Sequence, residues 1–122
     1  MNDSQSVGRP QRSLFVEHTA VDGVRVVAVR GDIDHDVTDV LREALLTHRD
    51  AAPPRVVVDL SGVEFLDSSG VNVLIHAHQS VSAARGRLRI AAARPPVLRV
   101  IRLVGIDTLI TCHPTVKEAL DD

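Results

Sequence analysis

The sequence predicts an α/β domain built on one mixed β-sheet, with an N-terminal hairpin and the order β-β-α-β-α-β-α-β-α. Three patterns carry this prediction. Two strand-like runs, Leu14–Ala20 and Val24–Arg30, lie around Asp22-Gly23, the strongest short hairpin signal in the chain. Arg55-Val56-Val57-Val58-Asp59-Leu60 is an almost unbroken β-branched run, the composition of a strand covered on both faces. Between and after these runs the apolar spacing changes to a helical period. Strands alternating with helices form a layered sheet, with right-handed crossovers between parallel neighbours.

Each element has its own local reason. Residues 1–12 are polar, carry Gly8 and Pro10 and show no periodicity; they read as a flexible N-terminal tail before a domain spanning 13–122. The first helix follows from Val37, Val40, Leu41, Ala44 and Leu45, spaced i, i+3, i+4, i+7 and i+8. Asp36 suits its N-cap and Asp39 its first turn, where negative charge is favoured. Ala51-Ala52-Pro53-Pro54 ends it. A loop from Ser61 to Asp67 leads into a second helix from Ser68 to about Ala84. Val71, Leu74, Ile75, His78 and Val81 are predicted to face inward there, and Asn72, His76 and Gln79 outward. Gly86 closes this helix, and Leu88–Ala92 is the next strand. Pro95-Pro96 opens a third helix that stops at Gly105. Thr108–Cys112 reads as a short strand, and a last helix runs from Pro114 to about Leu120.

Composition narrows the function classes. With 122 residues, 44% hydrophobic and 25% charged, the chain is one globular domain. Phe15 and Phe65 are its only aromatic residues, so no stacking platform for single-stranded nucleic acid is expected. A net charge of −2 gives no electrostatic footprint for duplex DNA or an anionic membrane. Cys112 is the single cysteine, which excludes an internal disulfide and suits a reducing cytoplasm. Neither a signal peptide nor an apolar stretch of the ~20 residues a membrane span needs is expected.

In such sheets the loops after the strand ends converge at one rim. Here these are Gly31–Asp36 and Ser61–Ser69, which would gather Asp34, Asp59, Asp67, Ser68 and Ser69. The centre of interest is Glu64-Phe65-Leu66-Asp67-Ser68-Ser69-Gly70. Ser68 and Ser69 stand where a helix begins, so one reading is a hydroxyl capping a free N–H. The same geometry favours an anion, so a phosphate on Ser68 would be well placed, with Asp67 partly opposing it. Catalysis by either serine lacks parts: the first glycine of Gly-x-Ser-x-Gly is replaced by Leu66 or Asp67. His76 and His78 are two apart and point to opposite sides of a helix, which is no metal pair. Neither a phosphate loop nor a dinucleotide fingerprint is present. No enzyme activity, cofactor or metal is therefore expected of this chain.

The run from Val56 through Val71, with Asp67-Ser68-Ser69-Gly70 after the Val-rich strand, resembles the signature of STAS domains, specifically bacterial anti-sigma factor antagonists. Gly31-Asp32-Ile33-Asp34 resembles that family's segment before the first helix. The likeness continues through Gly86–Ile90 and Val100–Asp107 to Val116–Leu120, covering about Ser13 to Leu120. Val71 departs from the family's usual Leu, and Asn72 from its small or basic residue; both bear on which partner is chosen.

The resemblance implies partner switching. An anti-sigma factor that is itself a serine kinase would phosphorylate the serine after the loop aspartate, which is Ser68. The unphosphorylated chain would bind that kinase and release a sigma factor, and a PP2C-type phosphatase would reset it. ATP and Mg²⁺ would belong to the kinase. By the same resemblance Asp34, Glu64, Asp67, Ser69, Gly70 and Asn72 are the expected partner-binding residues, and the free chain is expected to be a monomer. Two other readings stay open from sequence: a STAS scaffold or transporter-associated subunit that binds without switching, and a receiver-type domain phosphorylated on Asp59.

Overall fold

The computed structural model describes residues 14–46 and 53–122. The expected tail at 1–12, Ser13 and the Ala51-Ala52 helix break lie outside the described residues. Those described form one five-stranded sheet in the order β1-β2-β3-β4-β5. Strands β1 (Phe15–Val21) and β2 (Val24–Ile33) are antiparallel, and β3 (Arg55–Leu66), β4 (Arg87–Ala91) and β5 (Cys112–His113) continue parallel to β2. The mixed sheet and the N-terminal hairpin are as expected. Asp22 and Gly23 take φ of 51° and 82°, the left-handed pair that a two-residue hairpin turn needs to match strand twist.

Helices α1 (Thr38–Leu46), α2 (Ser68–Ala83), α3 (Pro95–Leu103) and α4 (Val116–Asp121) fill the connections and the C-terminal side. Alternation along the strands divides the core. Val27, Val29, Val56, Val58, Leu88 and Ile90 join α1, α2 and α3 in the larger cluster. Val24, Val26, Val57 and Ala91 meet Ala119 of α4 in the smaller one. Arg25 stabilises the end of α1, its guanidinium donating to the carbonyls of Ala44 at 2.7 Å and Leu45 at 3.4 Å.

Several expected boundaries move. β2 runs through Gly31-Asp32-Ile33, and β3 runs through Ser61 to Leu66, where loops were expected. Register shifts between Ala28 and Arg30 and between Gly31 and Asp32 absorb the glycines and polar residues that made these segments look irregular. The first helix opens with a 3₁₀ turn, His35–Val37, capped by Asp34 instead of Asp36. In α2 the buried positions include Val73 and Ala77, while Ile75 and His78 are only half-buried; Asn72, His76 and Gln79 do face outward. Thr108–Cys112 is not a strand. A 3₁₀ turn, Ile106–Thr108, leads to β5 at Cys112–His113, and Ile106 and Ile110 turn into the core. Pro114 precedes α4, whose N-cap is Thr115, with its hydroxyl accepting the Glu118 N–H at 3.1 Å.

Arg89 holds α4 to the sheet. Its side chain is buried, and Nη1 donates to the carbonyls of Ala119 at 2.5 Å and Asp122 at 2.9 Å. Burial, then the neighbouring Arg87, lower its pKa from the ordinary arginine value, and Asp122 opposes them. Asp122 also bonds His113 at 2.9 Å and Arg87 at 2.5 Å, and the His113 bond first, then Arg87, outweighs desolvation and lowers its carboxyl pKa. That carboxylate's contribution is present above the ordinary aspartate range and is lost as pH falls through the depressed value. Arg89→Ala strands two carbonyls, and we expect it to destabilise the chain by about 2–3 kcal/mol in urea titrations. Faster amide exchange in α4 than in α2 should accompany it; uniform acceleration across the chain would refute a local role.

Candidate functional site

The site is assembled by two parallel strands that outrun their neighbour. β4 pairs with β3 only as far as Asp59–Ala91, whereas β2 and β3 stay paired to Ile33 and Leu66. Past Asp59, β3 therefore has β2 as its one strand partner, and beyond Gly62, where β1 has ended at the Phe15–Arg30 pair, the two run on as a two-stranded extension. Asp59 consequently lies seven residues before the strand end, roughly 20 Å of extended chain from the rim. Its carboxylate accepts the Ser61 N–H at 3.0 Å and steadies the irregularity there. The expected gathering of Asp59 with Ser68 is not found, and the placement removes the strand-end position that a receiver-type phospho-aspartate needs.

At the tip, Ile33 and Leu66 are register partners, and the Asp67 N–H donates to the Ile33 carbonyl at 3.1 Å. Asp34 and Asp67, the next residues, are thereby set side by side. Each carboxylate caps a helical start. Asp34 Oδ1 accepts the Asp36 N–H at 3.0 Å, and Asp67 Oδ1 accepts the N–H groups of Ser69 at 2.9 Å and Gly70 at 3.2 Å.

This settles which residue caps α2. Capping by a serine hydroxyl was one expectation, but Asp67 occupies that role and Ser68 is the first helical residue. The Ser68 side chain is exposed, and its hydroxyl makes no hydrogen bond among the described residues. Ser69 is half-buried. Gly70 is buried because the helix rests directly on the strand tips: a Cβ there would come closer than 3.0 Å to Cγ2 of Ile33 and Cδ1 of Leu66. The visible role of Gly70 is this close approach. Asn72 is exposed one turn beyond Ser68, and His76 and Gln79 extend the same outer face.

Glu64 stands out from the extension and pairs with Arg94, Oε2 to Nη1 at 3.3 Å; Arg94 Nε also donates to the Ser61 carbonyl at 2.7 Å. Arg94, at the start of α3, thus braces the extension across the gap that β4 leaves. Sequence reading missed it, since no spacing rule links residue 94 to residues 61 and 64. It also left Phe65, 49% exposed near the end of β3, out of the expected partner-binding residues, although the segment containing it was the centre of interest. Arg94→Ala should raise amide exchange across Ser61–Leu66 while changing global stability by less than about 1 kcal/mol, as for an exposed pair. Unchanged exchange there would mean the strands hold the tip unaided.

No helix among the described residues is long and apolar enough to cross a membrane. The family model for the STAS domain matches residues 16–119. An anti-sigma F factor antagonist of Paenibacillus polymyxa is 26% identical over 115 residues, 90% of this chain and 95% of that protein. The anti-sigma-F factor antagonist RsfB of Mycobacterium tuberculosis is 30% identical over 108 residues, 88% of either chain. The crystal structure of an anti-sigma factor antagonist from Mycobacterium paratuberculosis superposes with a TM-score of 0.80 at 32% identity, covering 92% of this chain and 95% of that one. With the family model spanning the sheet and its helices and these relatives covering most of its length, this chain belongs to the STAS domain family.

Proposed function

We propose that this chain is an anti-sigma factor antagonist controlled through Ser68. Unphosphorylated, it docks on an anti-sigma factor serine kinase and so releases a sigma factor. Phosphorylated on Ser68 by that kinase, it lets go, and a PP2C-type phosphatase restores it. ATP and Mg²⁺ sit on the kinase, and the exchange takes place in the cytoplasm between soluble proteins.

The observation that carries this reading is the division of labour at α2. Asp67 uses its carboxylate on the first-turn N–H groups, which leaves the Ser68 hydroxyl exposed and uncommitted, as a kinase substrate must be. The relatives named above as anti-sigma factor antagonists supply the partner class. On this reading the exposed Phe65, Glu64 and Asn72 dock on the partner together with Ser68, and Asp34 and Asp67 act from the helical turns they cap. Ser69 and Gly70 serve this surface by fixing the helix start.

The test is incubation with an anti-sigma factor kinase and ATP, followed by site mapping by mass spectrometry. Label confined to Ser68 and abolished in Ser68→Ala is the expected result. Phosphate on Ser69 that survives in Ser68→Ala would overturn the site, and stable binding with no phosphorylation would favour a non-switching scaffold.

A further inference from the structure

Helix α3 carries a second exposed surface, away from Ser68. α2 and α3 both begin where parallel strands end, so their N-termini share one side of the sheet. Nine residues at 1.5 Å each take α3 about 13 Å toward the opposite side. Leu103, Val104 and Leu109 are exposed at that far end, Leu103 by 79%. Of these, Leu103 also lines a cleft beside α3, so its exposed side chain is continuous with a concave surface.

Two clefts, ≈ 420 Å³ and ≈ 520 Å³, flank the helix and share Ala93, Leu98 and Arg102, which makes them one saddle around it. Ala93 and Leu98 are its half-buried floor; Pro95 and Leu103 stand on one side and Pro114 on the other.

Charge selects the occupant. Arg42, Arg87 and Arg94 each have a carboxylate partner. Arg99 and Arg102, exposed on α3, have none among the described residues, and Asp107 is the sole acid lining either cleft. His113, on the wall, is engaged by Asp122. The chain's own first 13 residues are unsuited to fill the saddle, since Arg9 and Arg12 outnumber Asp3 and only Met1 and Val7 are sizeable apolar groups.

We propose that this saddle docks an acidic amphipathic helix of a partner protein. Its apolar side chains would seat against Ala93, Leu98 and Leu103, and its carboxylates would meet Arg99 and Arg102. Two guanidinium groups at the edge of an apolar seat favour encounter with acidic partners and reject basic ones. This proposal does not rest on the Ser68 reading. The two surfaces are separated along the helices, so a protein in the saddle leaves the start of α2 open.

The probe is a synthetic amphipathic helix with leucines on one face and glutamates on the other; its control carries lysines in place of the glutamates. Fluorescence anisotropy should show saturable binding of the acidic peptide that weakens with salt, and amide shifts should centre on Ala93, Leu98, Arg102 and Leu103. In Arg99→Glu/Arg102→Glu affinity should fall about tenfold or more, while the circular dichroism spectrum and the urea midpoint persist. Equal binding of the lysine peptide, shifts that map elsewhere, or an unaffected double variant would each overturn the proposal. So would concentration-dependent self-association lost in Leu103→Asp, which would give the saddle to a second copy of the chain.

Discussion

Phosphate on Ser68 is expected to weaken binding to the anti-sigma factor kinase by about 30-fold to a few thousand-fold, the range that follows from about 2–5 kcal/mol for an uncompensated charge in an interface. The local geometry argues for the upper part of that range. A helix start normally offers an anion several free N–H groups, and a phosphate there can be stabilised in place. In this chain Asp67 has already taken the N–H groups of Ser69 and Gly70. The new group, carrying about −1.5 to −2 charges, would therefore find few donors on its own helix and a carboxylate next door. It must project outward, into the surface a partner would cover, where repulsion and desolvation oppose docking. No refolding is required, so the far-ultraviolet circular dichroism and thermal midpoint should barely move on phosphorylation. Calorimetric titration should rank Ser68→Ala as tight as the unmodified chain, Ser68→Asp weaker, and the phosphoprotein weakest, because Asp supplies fewer charges and acceptors. Equal affinities for Ser68→Ala and Ser68→Asp, with the phosphoprotein also unchanged, would sink the charge argument.

Much of this arrangement was legible in the sequence because local signals agreed. Asp22-Gly23 gave the hairpin, the valines of β3 a doubly covered strand, and the outward set Asn72, His76 and Gln79 one face of α2. The strand tips were harder to read. Gly31, Asp32, Ser61 and Gly62 look like loop residues, yet Ile33, Val63 and Leu66 still turn inward, because a two-stranded extension needs cover on only one side. At β5 the β-branched residues favoured a strand, but Ile106 and Ile110, four apart, were the better guide to a helical turn. Arg89 and Arg94 were invisible for a different reason. Their partners, the Ala119 carbonyl and the Ser61 carbonyl with Glu64, lie about thirty residues away and are brought together only by the completed sheet.

Gly70→Ala is expected to destabilise the chain by about 1–2 kcal/mol and to slow phosphorylation of Ser68, against the usual gain of replacing a helical glycine. Alanine in place of glycine inside a helix ordinarily stabilises by roughly 0.5–1 kcal/mol. Here the added methyl would overlap Ile33 and Leu66, whose side chains are 0% and 3% exposed and have no solvent-ward escape. Overpacking of this kind costs about 1–3 kcal/mol, so sterics should outweigh propensity. Lifting the first turn of α2 off the strand tips would relieve the strain without repacking Ile33 and Leu66. That motion would carry Asp67 and Ser68 with it and loosen the cap, so the hydroxyl would be presented to a kinase less uniformly. Two measurements separate this account from general damage. Ile33→Ala alone should cost about 2–5 kcal/mol through its cavity, and the Gly70→Ala methyl should refill part of that space. The double variant should accordingly be more stable than the sum of the singles by at least about 0.5 kcal/mol. Strict additivity in urea titrations would remove the steric explanation. A phosphorylation rate unaltered in Gly70→Ala would show that the glycine serves packing alone, and that the position of Ser68 is fixed by the Asp67 cap without it.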